Sequence, residues 1–531
     1  MPTVTGYNFA MIHGFTTNLP GVYKWGRPFI AVALMAVACP PSPAVGGGNG
    51  MSNDALVLPG GVGYVGDTAH DIVPLEIQPW ESPADLASFL PGRGDLWFKA
   101  APGLSSKPPA LLFGSIVCPR PEVAANLPAG GLGAADLLSF PSAAWWGPAS
   151  GAGAIQVRPP DPKDKTSGQT ATWASDFDAG LAASVASPNA SAAAAWNDLR
   201  TDTDERRNSL SFTGRTSTNL NGTWSTGGQA LAMKGKDSQW EAADSYLAWN
   251  SGNFQEVRLS PFAQKASLGA CEDSEAGLRL EHRLNMAGIV KTVCGAGFSE
   301  RESAGNQRLK AGYFQGAAFG DALGRVALDG AFRLDGYEGR RGAGSAAAGV
   351  KVPTGDFVFS AAVESSAYAP WDMTSSFAME QVNAQSIEVG YNPGAAGTFR
   401  IRVRHETLEG ARVFAVAPTW LGRFKFPAGK FIKNAVWEVS LERSSDVNDG
   451  DTATTGAIGR LGFDFPAGLH FWVFGRAQNG EPTAVQSGAE WKRGHLALGV
   501  AADNVTDRAV PWPESLLAAG RRLRGTAQIS W

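Results

Sequence analysis

Arg400, Arg402 and Arg404 occupy every second position of the stretch TFRIRVRHE, with Phe399, Ile401 and Val403 on the alternate ones. In an extended chain alternate side chains leave on opposite faces, so the three guanidiniums share a side. In a narrow wet space such a row focuses a field that attracts an anion, for instance a metal chelate. The same row can instead be filled by acids of its own wall, with Glu388 and Glu406 close by in sequence. Glu438 and Glu442 in AVWEVSLER repeat the geometry with the opposite sign. Gly147, Gly151 and Gly153 in WGPASGAGAIQVRPP have the texture of a phosphate-cradling loop, but no Lys-Ser/Thr follows them. The 6 histidines are scattered singly, and Cys39, Cys118, Cys271 and Cys294 show no CxxC spacing. Neither a metal centre nor a Ser/His/Asp arrangement is legible in them. No catalytic residue, metal or cofactor is therefore expected, and the chain reads as a protein that is not an enzyme. Cys271 and Cys294 stand where neighbouring strands would bring them close, and their pairing stays open.

The elements that must position these residues are short alternating strands. From about residue 168 onward the sequence is broken by turn residues at regular intervals and shows almost no helical period. In SIEVGYN, Ile387, Val389 and Tyr391 oppose Ser386, Glu388 and Gly390; in GLRLEHRLN, Leu278, Leu280 and Leu284 oppose Arg279, Glu281 and Arg283. Phe463 and Phe465, the turn at 466–468, then Leu469, Phe471 and Val473 make a hairpin in one phase. The stretch holds on the order of 22 such strands, each with room for the ~9–11 residues needed to cross a bilayer. A soluble sheet of that size would curl or split, and nothing in the sequence supplies a helical layer to cover it. A closed barrel has no edges, and its apolar face can point to lipid while its charged face lines water. The 17 Trp against 8 Tyr suit the interfacial girdles of such a barrel. The last strand, RRLRGTAQISW, runs to the final residue with Leu523, Gly525, Ala527, Ile529 and Trp531 on one face. It is expected to close against GQTATWAS at 168–175, with Trp531 and Ile529 towards lipid. Connections are short, 447–454 and 368–385 being the best candidates for longer ones.

The formal net charge of -4 gives no basis for nucleic-acid binding. Near the N-terminus, Lys24 and Arg27 precede the apolar run PFIAVALMAVAC and then PPSPAVGGGNG, the pattern of a secretory signal and shorter than a spanning helix. The organisation expected is a leader at 1–44, a Gly/Ser/Asn-rich tether at 45–60, a small α/β domain at 61–162 and a barrel at 163–531. Within the small domain, Ser82, Pro83 and the stop Pro91-Gly92 predict a helix over 83–90.

This order of parts resembles the TonB-dependent outer-membrane receptors, in which a plug domain sits inside a 22-stranded barrel. PADLASFLPG is similar to the plug helix of that family, and Lys99 and Phe113-Gly114 stand where it has Arg-Gly and Asp-Gly pairs. Gly147, Pro148, Gly151 and Gly153 resemble the plug closure, and Glu388, Gly390 and Tyr391 its Glu-x-Gly-Tyr strand. Asn504, Asp507, Pro511, Pro513, Gly520 and Arg521, followed by an alternating strand with a terminal aromatic, follow the family's C-terminal order. The resemblance implies a bacterial outer-membrane receptor for energy-coupled import of a scarce small ligand such as a siderophore or cobalamin. Its implied partners are a TonB-type energy-transducing protein, the barrel-assembly machinery, the ligand and the lipid bilayer, with the receptor a monomer. The segment that pairs with the TonB-type partner would be Asp54, Ala55, Leu56, Val57 and Leu58. The eroded plug motifs keep an alternative alive, a passive channel whose plug has lost coupling.

Overall fold

The computed structural model describes residues 72–75, 110–138, 144, 147–148 and, apart from short gaps at connections and the stretch 504–521, residues 154–531. Twenty-two antiparallel strands, each paired with its neighbour in sequence, close into a barrel. The strand Arg522–Ser530 completes it by pairing with the strand Ser167–Ala174, in the register Gly525↔Ala174 through Ser530↔Gln169. The seam expected from the sequence is the one formed. Beyond the last ladder residue, Trp531 exchanges both backbone hydrogen bonds with Gly168 at 2.9 Å. Its indole lies where a side chain at 168 would be: a Cβ there would come within 2.4 Å of the ring.

The barrel is inverted relative to a soluble sheet. Leu278, Phe298, Leu334, Ile387, Leu441, Leu523 and Ile529 stand exposed on the outside. Arg258, Asp273, Glu275, Arg279, Glu281, Arg333, Asp335, Glu406 and Arg524 are buried on the inside. An exterior of this area and composition is stable against hydrocarbon and not against water. No helix among the described residues is long and apolar enough to cross a membrane. The crossing is done by strands of 8 to 16 residues.

At the rim that carries Trp531, Phe357, Tyr391, Phe399, Phe424 and Phe471 are exposed on the outer surface. Phe357 stacks on Tyr391 and Phe424 meets Phe426, both at 4.8 Å between ring centroids. Rings with an apolar body and a rim position form the girdle expected at a bilayer interface. At the opposite rim the connections range from the two residues 269–270 to the longer 447–452, 369–379 and 504–521, the first two of these longer ones within the stretches 447–454 and 368–385 where the sequence predicted them. Removing Trp531 should therefore lower the yield of assembled barrel more than it lowers ligand binding by the barrels that do form. Comparing the heat-modifiable folded band with cell-surface binding for the truncated and full chains checks this, and an unchanged folded band would count against it.

A second, five-stranded sheet is built from β1 (Ile72–Leu75), β2 (Ala110–Phe113), β3 (Ile116–Val117), β4 (Ala134–Leu138) and β5 (Ala154–Arg158), in the order β1-β4-β5-β2-β3. β2 and β5 run parallel. Their residues ALLF and AIQVR are buried except at Arg158, because both faces are covered. Leu111, Phe113, Ile155 and Val157 share a core with Leu231, Met233 and Trp240 of the barrel wall. Ala110, Leu112 and Ala154 share one with Val293, Ala317, Ala331 and Ala347. The sheet thus touches inward-facing residues on both sides and occupies the lumen.

Among its described residues the inner domain carries 3-10 turns at Pro121–Asn126 and Ala129–Gly131 and a helical residue at Ala144, and the helix expected at 83–90 lies outside the described residues. Cys271 and Cys294 do not face each other. The antiparallel register puts Cys271 opposite Leu268 at one end of its strand and Cys294 opposite His282, well along that same strand.

Candidate functional site

The lumen wall and the inner sheet meet through polar groups at three levels. Below, the turn between β2 and β3 points Gly114 and Ser115 at the wall. Gly114 has φ +58, and a Cβ on it would lie 2.2 Å from Gln229 Nε2. The position needs glycine both for its backbone and for the close approach. Phe113, which stands where the family's motif has an acid, is fully buried edge-on to Trp240, with ring centroids 6.3 Å apart. The turn is held here by packing instead of charge. Beside it the Arg279 guanidinium donates to the Ser115 hydroxyl and lies 3.9 Å from the centroid of the Phe262 ring.

Above, Glu275 gathers three elements. It accepts hydrogen bonds from Gln264 Nε2 at 2.8 Å, Arg301 Nε at 2.9 Å and Trp371 Nε1 at 3.3 Å. Gln264 also donates to the Val117 carbonyl of β3 at 2.6 Å, and Arg301 to the Trp371 carbonyl at 3.1 Å. Trp371 belongs to the connection 369–379, yet it is only 5% exposed, so this side chain turns into the barrel mouth. Next to it Arg120 of the inner domain pairs with Asp273, which also accepts from Ser303 at 2.6 Å.

The third contact uses the Gly147-Pro148 pair. Gly147 has φ +95, and a Cβ on it would sit 3.0 Å from Arg333 Nη2. Arg333 is in turn held by Asp335 and by Gln315 Oε1 at 2.9 Å, over the ring of Tyr313. The Pro148 carbonyl accepts the amide of Ala369 at 3.2 Å. The connection 369–379 is thereby tied to the inner domain through backbone as well as side chains.

The structure disperses the residues the sequence singled out. Arg402 pairs with Glu388, and Arg404 Nε reaches Glu406 Oε1 at 3.0 Å, so wall acids answer that ladder. Arg400 lies exposed near the start of the same strand. Gly147 and Pro148 reach the contact region, while Gly151, Gly153 and residues 54–58 lie outside the described residues. Trp531 and Ile529 line the seam. The residues missed were Glu275, Arg301, Trp371 and Arg279. Arg279 and Glu275 fall on the charged side of an alternating strand, a signal that marks a lumen position without revealing its partner.

No family model and no curated protein sequence matches the chain. Solved structures do. The siderophore receptor PirA of Pseudomonas aeruginosa superimposes with a TM-score of 0.69 over 87% of this chain and 99% of its own, at 12% identity. The FrpB iron transporter of Neisseria meningitidis gives 0.66 over 88% and 100%, at 11% identity. The copper transporter OprC gives 0.63 over 85% and 96%, also at 11%. The chain has the fold of the TonB-dependent outer-membrane receptors. Nearly the full length of each of these chains is matched, so the fold extends to barrel and inner sheet together.

Proposed function

We propose that the chain is an outer-membrane receptor that imports a small chelated ligand under energy supplied by a TonB-type partner. The observation that carries this reading is the inner sheet, bound to the lumen wall on both faces and bonded to the connection 369–379 at the barrel mouth. Such a sheet blocks free diffusion, and passage requires that it be moved by work. In this reading residues 1–44 are a leader, 45–60 a tether, 61–162 an α/β plug with its helix at 83–90, and 163–531 the barrel. The rim with Trp531 faces the periplasm, and 369–379 faces the exterior. Asp54 through Leu58 add as a strand to the partner, a contact made of main-chain hydrogen bonds. The siderophore receptor, iron transporter and copper transporter of like fold support a metal chelate as cargo.

Deleting residues 53–59 should abolish uptake while leaving surface binding unchanged, and a protonophore should do the same to the intact chain. Radiolabelled iron, copper and cobalt chelates presented to cells carrying this receptor alone would measure it. Uptake that survives both treatments would favour the passive channel.

A further inference from the structure

Arg279 differs from the other buried and half-buried cations of the lumen wall. Arg258 is answered by Glu256 at 3.0 Å, Arg283 by Glu281 at 2.9 Å, Arg301 by Glu275 at 2.9 Å and Arg333 by Asp335 at 2.9 Å. Arg279 is as buried as any of them, at 4% exposure, yet it makes no ion pair with a described residue. Asp244 and Glu281 are the acids that feel its charge, but Asp244 is hydrogen-bonded by Gln229 and Glu281 by Arg283. The contacts the guanidinium has are a hydroxyl of the inner domain, Ser115, and the face of Phe262. A buried, charged fork left with one neutral acceptor is costly unless something else uses it.

The wall around Arg279 is built of aromatic rings laid over glycines. Gly277 and Gly297 face inward on either side of Arg279, and the space a Cβ would need is taken by the rings of Phe262 and Tyr313. Tyr313 in turn lies under Arg333, 3.8 Å from ring centroid to guanidinium carbon. The wall at the level of the β2–β3 turn is therefore two guanidiniums on aromatic supports, one neutralised and one not. Ser115 covers the second.

We propose that Arg279 is an anion-binding station on the transit path, capped by Ser115 while the inner domain is seated and uncovered when that turn withdraws. This rests on the proposed import function and adds to it that the cargo crosses this level with an anionic group, a carboxylate, phosphate or phenolate, able to take the fork of the guanidinium. It also explains why Arg402 and Arg404 are unsuited to the role: those charges already have carboxylates, and Arg279 has none among the described residues.

The test uses the full chain in a planar bilayer, with urea added on the periplasmic side at a concentration the barrel survives, so that the inner domain loosens and a conductance step appears. Inorganic phosphate is then titrated as a blocker of that current. Wild type should be blocked at a concentration at least fivefold lower than R279Q, with R279K in between and R402Q like wild type. The conductance step itself shows that each variant holds a folded barrel. Equal block of wild type and R279Q would overturn the station and leave the displaceable plug standing. Absence of any urea-dependent step would overturn both, so the two failures are distinct.

Discussion

Arg524→Ala should weaken the barrel more than any other single truncation on its last strand. Arg524 Nη2 lies 2.6 Å from Asp178 Oδ2 and its Nε 3.3 Å from Oδ1, at exposures of 2% and 4%. The pair spans the seam: Arg524 is on the strand Arg522–Ser530, Asp178 on the strand Asp178–Ala186, and Ser167–Ala174 runs between them. Every other neighbouring pair of strands is joined by a connection of the chain, whereas the seam has only its ladder and what crosses it. Removing the guanidinium leaves the Asp178 carboxylate buried, with the hydrogen bond it accepts from the Ser175 hydroxyl as its main support among the described residues. Breaking a buried pair from one side costs about 3–5 kcal/mol. The folded form on a heat-modifiable gel should convert at a clearly lower temperature, and Arg524→Ala/Asp178→Ala should recover part of the loss because no orphan charge remains. Arg215→Ala, whose partner Asp161 is 69% exposed, should cost under about 1 kcal/mol and serves as the comparison. A midpoint for Arg524→Ala equal to that of Arg215→Ala would show that the seam does not depend on this pair.

How much of this was legible in the sequence follows from the range of each interaction. The alternation in the last strand placed Leu523, Ile529 and Trp531 outside and Arg524 inside, and the structure agrees, because a period of two is a local property. The closing partner at 168–175 was legible for the same reason, since a closed barrel leaves only one place for the last strand. Asp178 was not, because the bond to it crosses an intervening strand. The arginines at 400, 402 and 404 read in the sequence as one inward row. Whether they were free for a ligand depended on Glu388, on the neighbouring strand, and on Glu406, two residues further along their own. Arg279 shows the reverse error. It looked like one member of a charged face in GLRLEHRLN, and its lack of a carboxylate becomes visible only when Ser115, remote in sequence, is beside it. Trp371 was assigned to a connection, correctly; nothing local says that a tryptophan in a connection turns back into the lumen.

Glu275→Ala should release that connection, and its effect should exceed that of Trp371→Ala. The carboxylate is 6% exposed and accepts from Gln264, Arg301 and Trp371. Gln264 keeps the Val117 carbonyl without it, but Arg301 loses its carboxylate and the indole N–H loses its acceptor. A hydrogen bond to a charged group contributes about 1.5–3 kcal/mol. With about 1.4 kcal/mol for each factor of ten, losing one such bond raises the population of the released connection roughly 10- to 100-fold. The Trp371→Ala variant removes the indole donor and its stacking on Arg301 but leaves the Arg301–Glu275 pair intact, so it should lie at the lower end. Ala369 reports the event directly, because its amide is bonded to the Pro148 carbonyl of the inner domain. Amide exchange in a peptide containing Ala369 should accelerate in the order wild type, Trp371→Ala, Glu275→Ala. Cells carrying Glu275→Ala should also become more sensitive to a large hydrophilic antibiotic that the seated inner domain excludes. If exchange at Ala369 accelerates and sensitivity does not change, the connection is a tether on the inner domain and the seal lies lower, at the β2–β3 turn. If exchange does not change, Glu275 is not what holds the connection in the lumen.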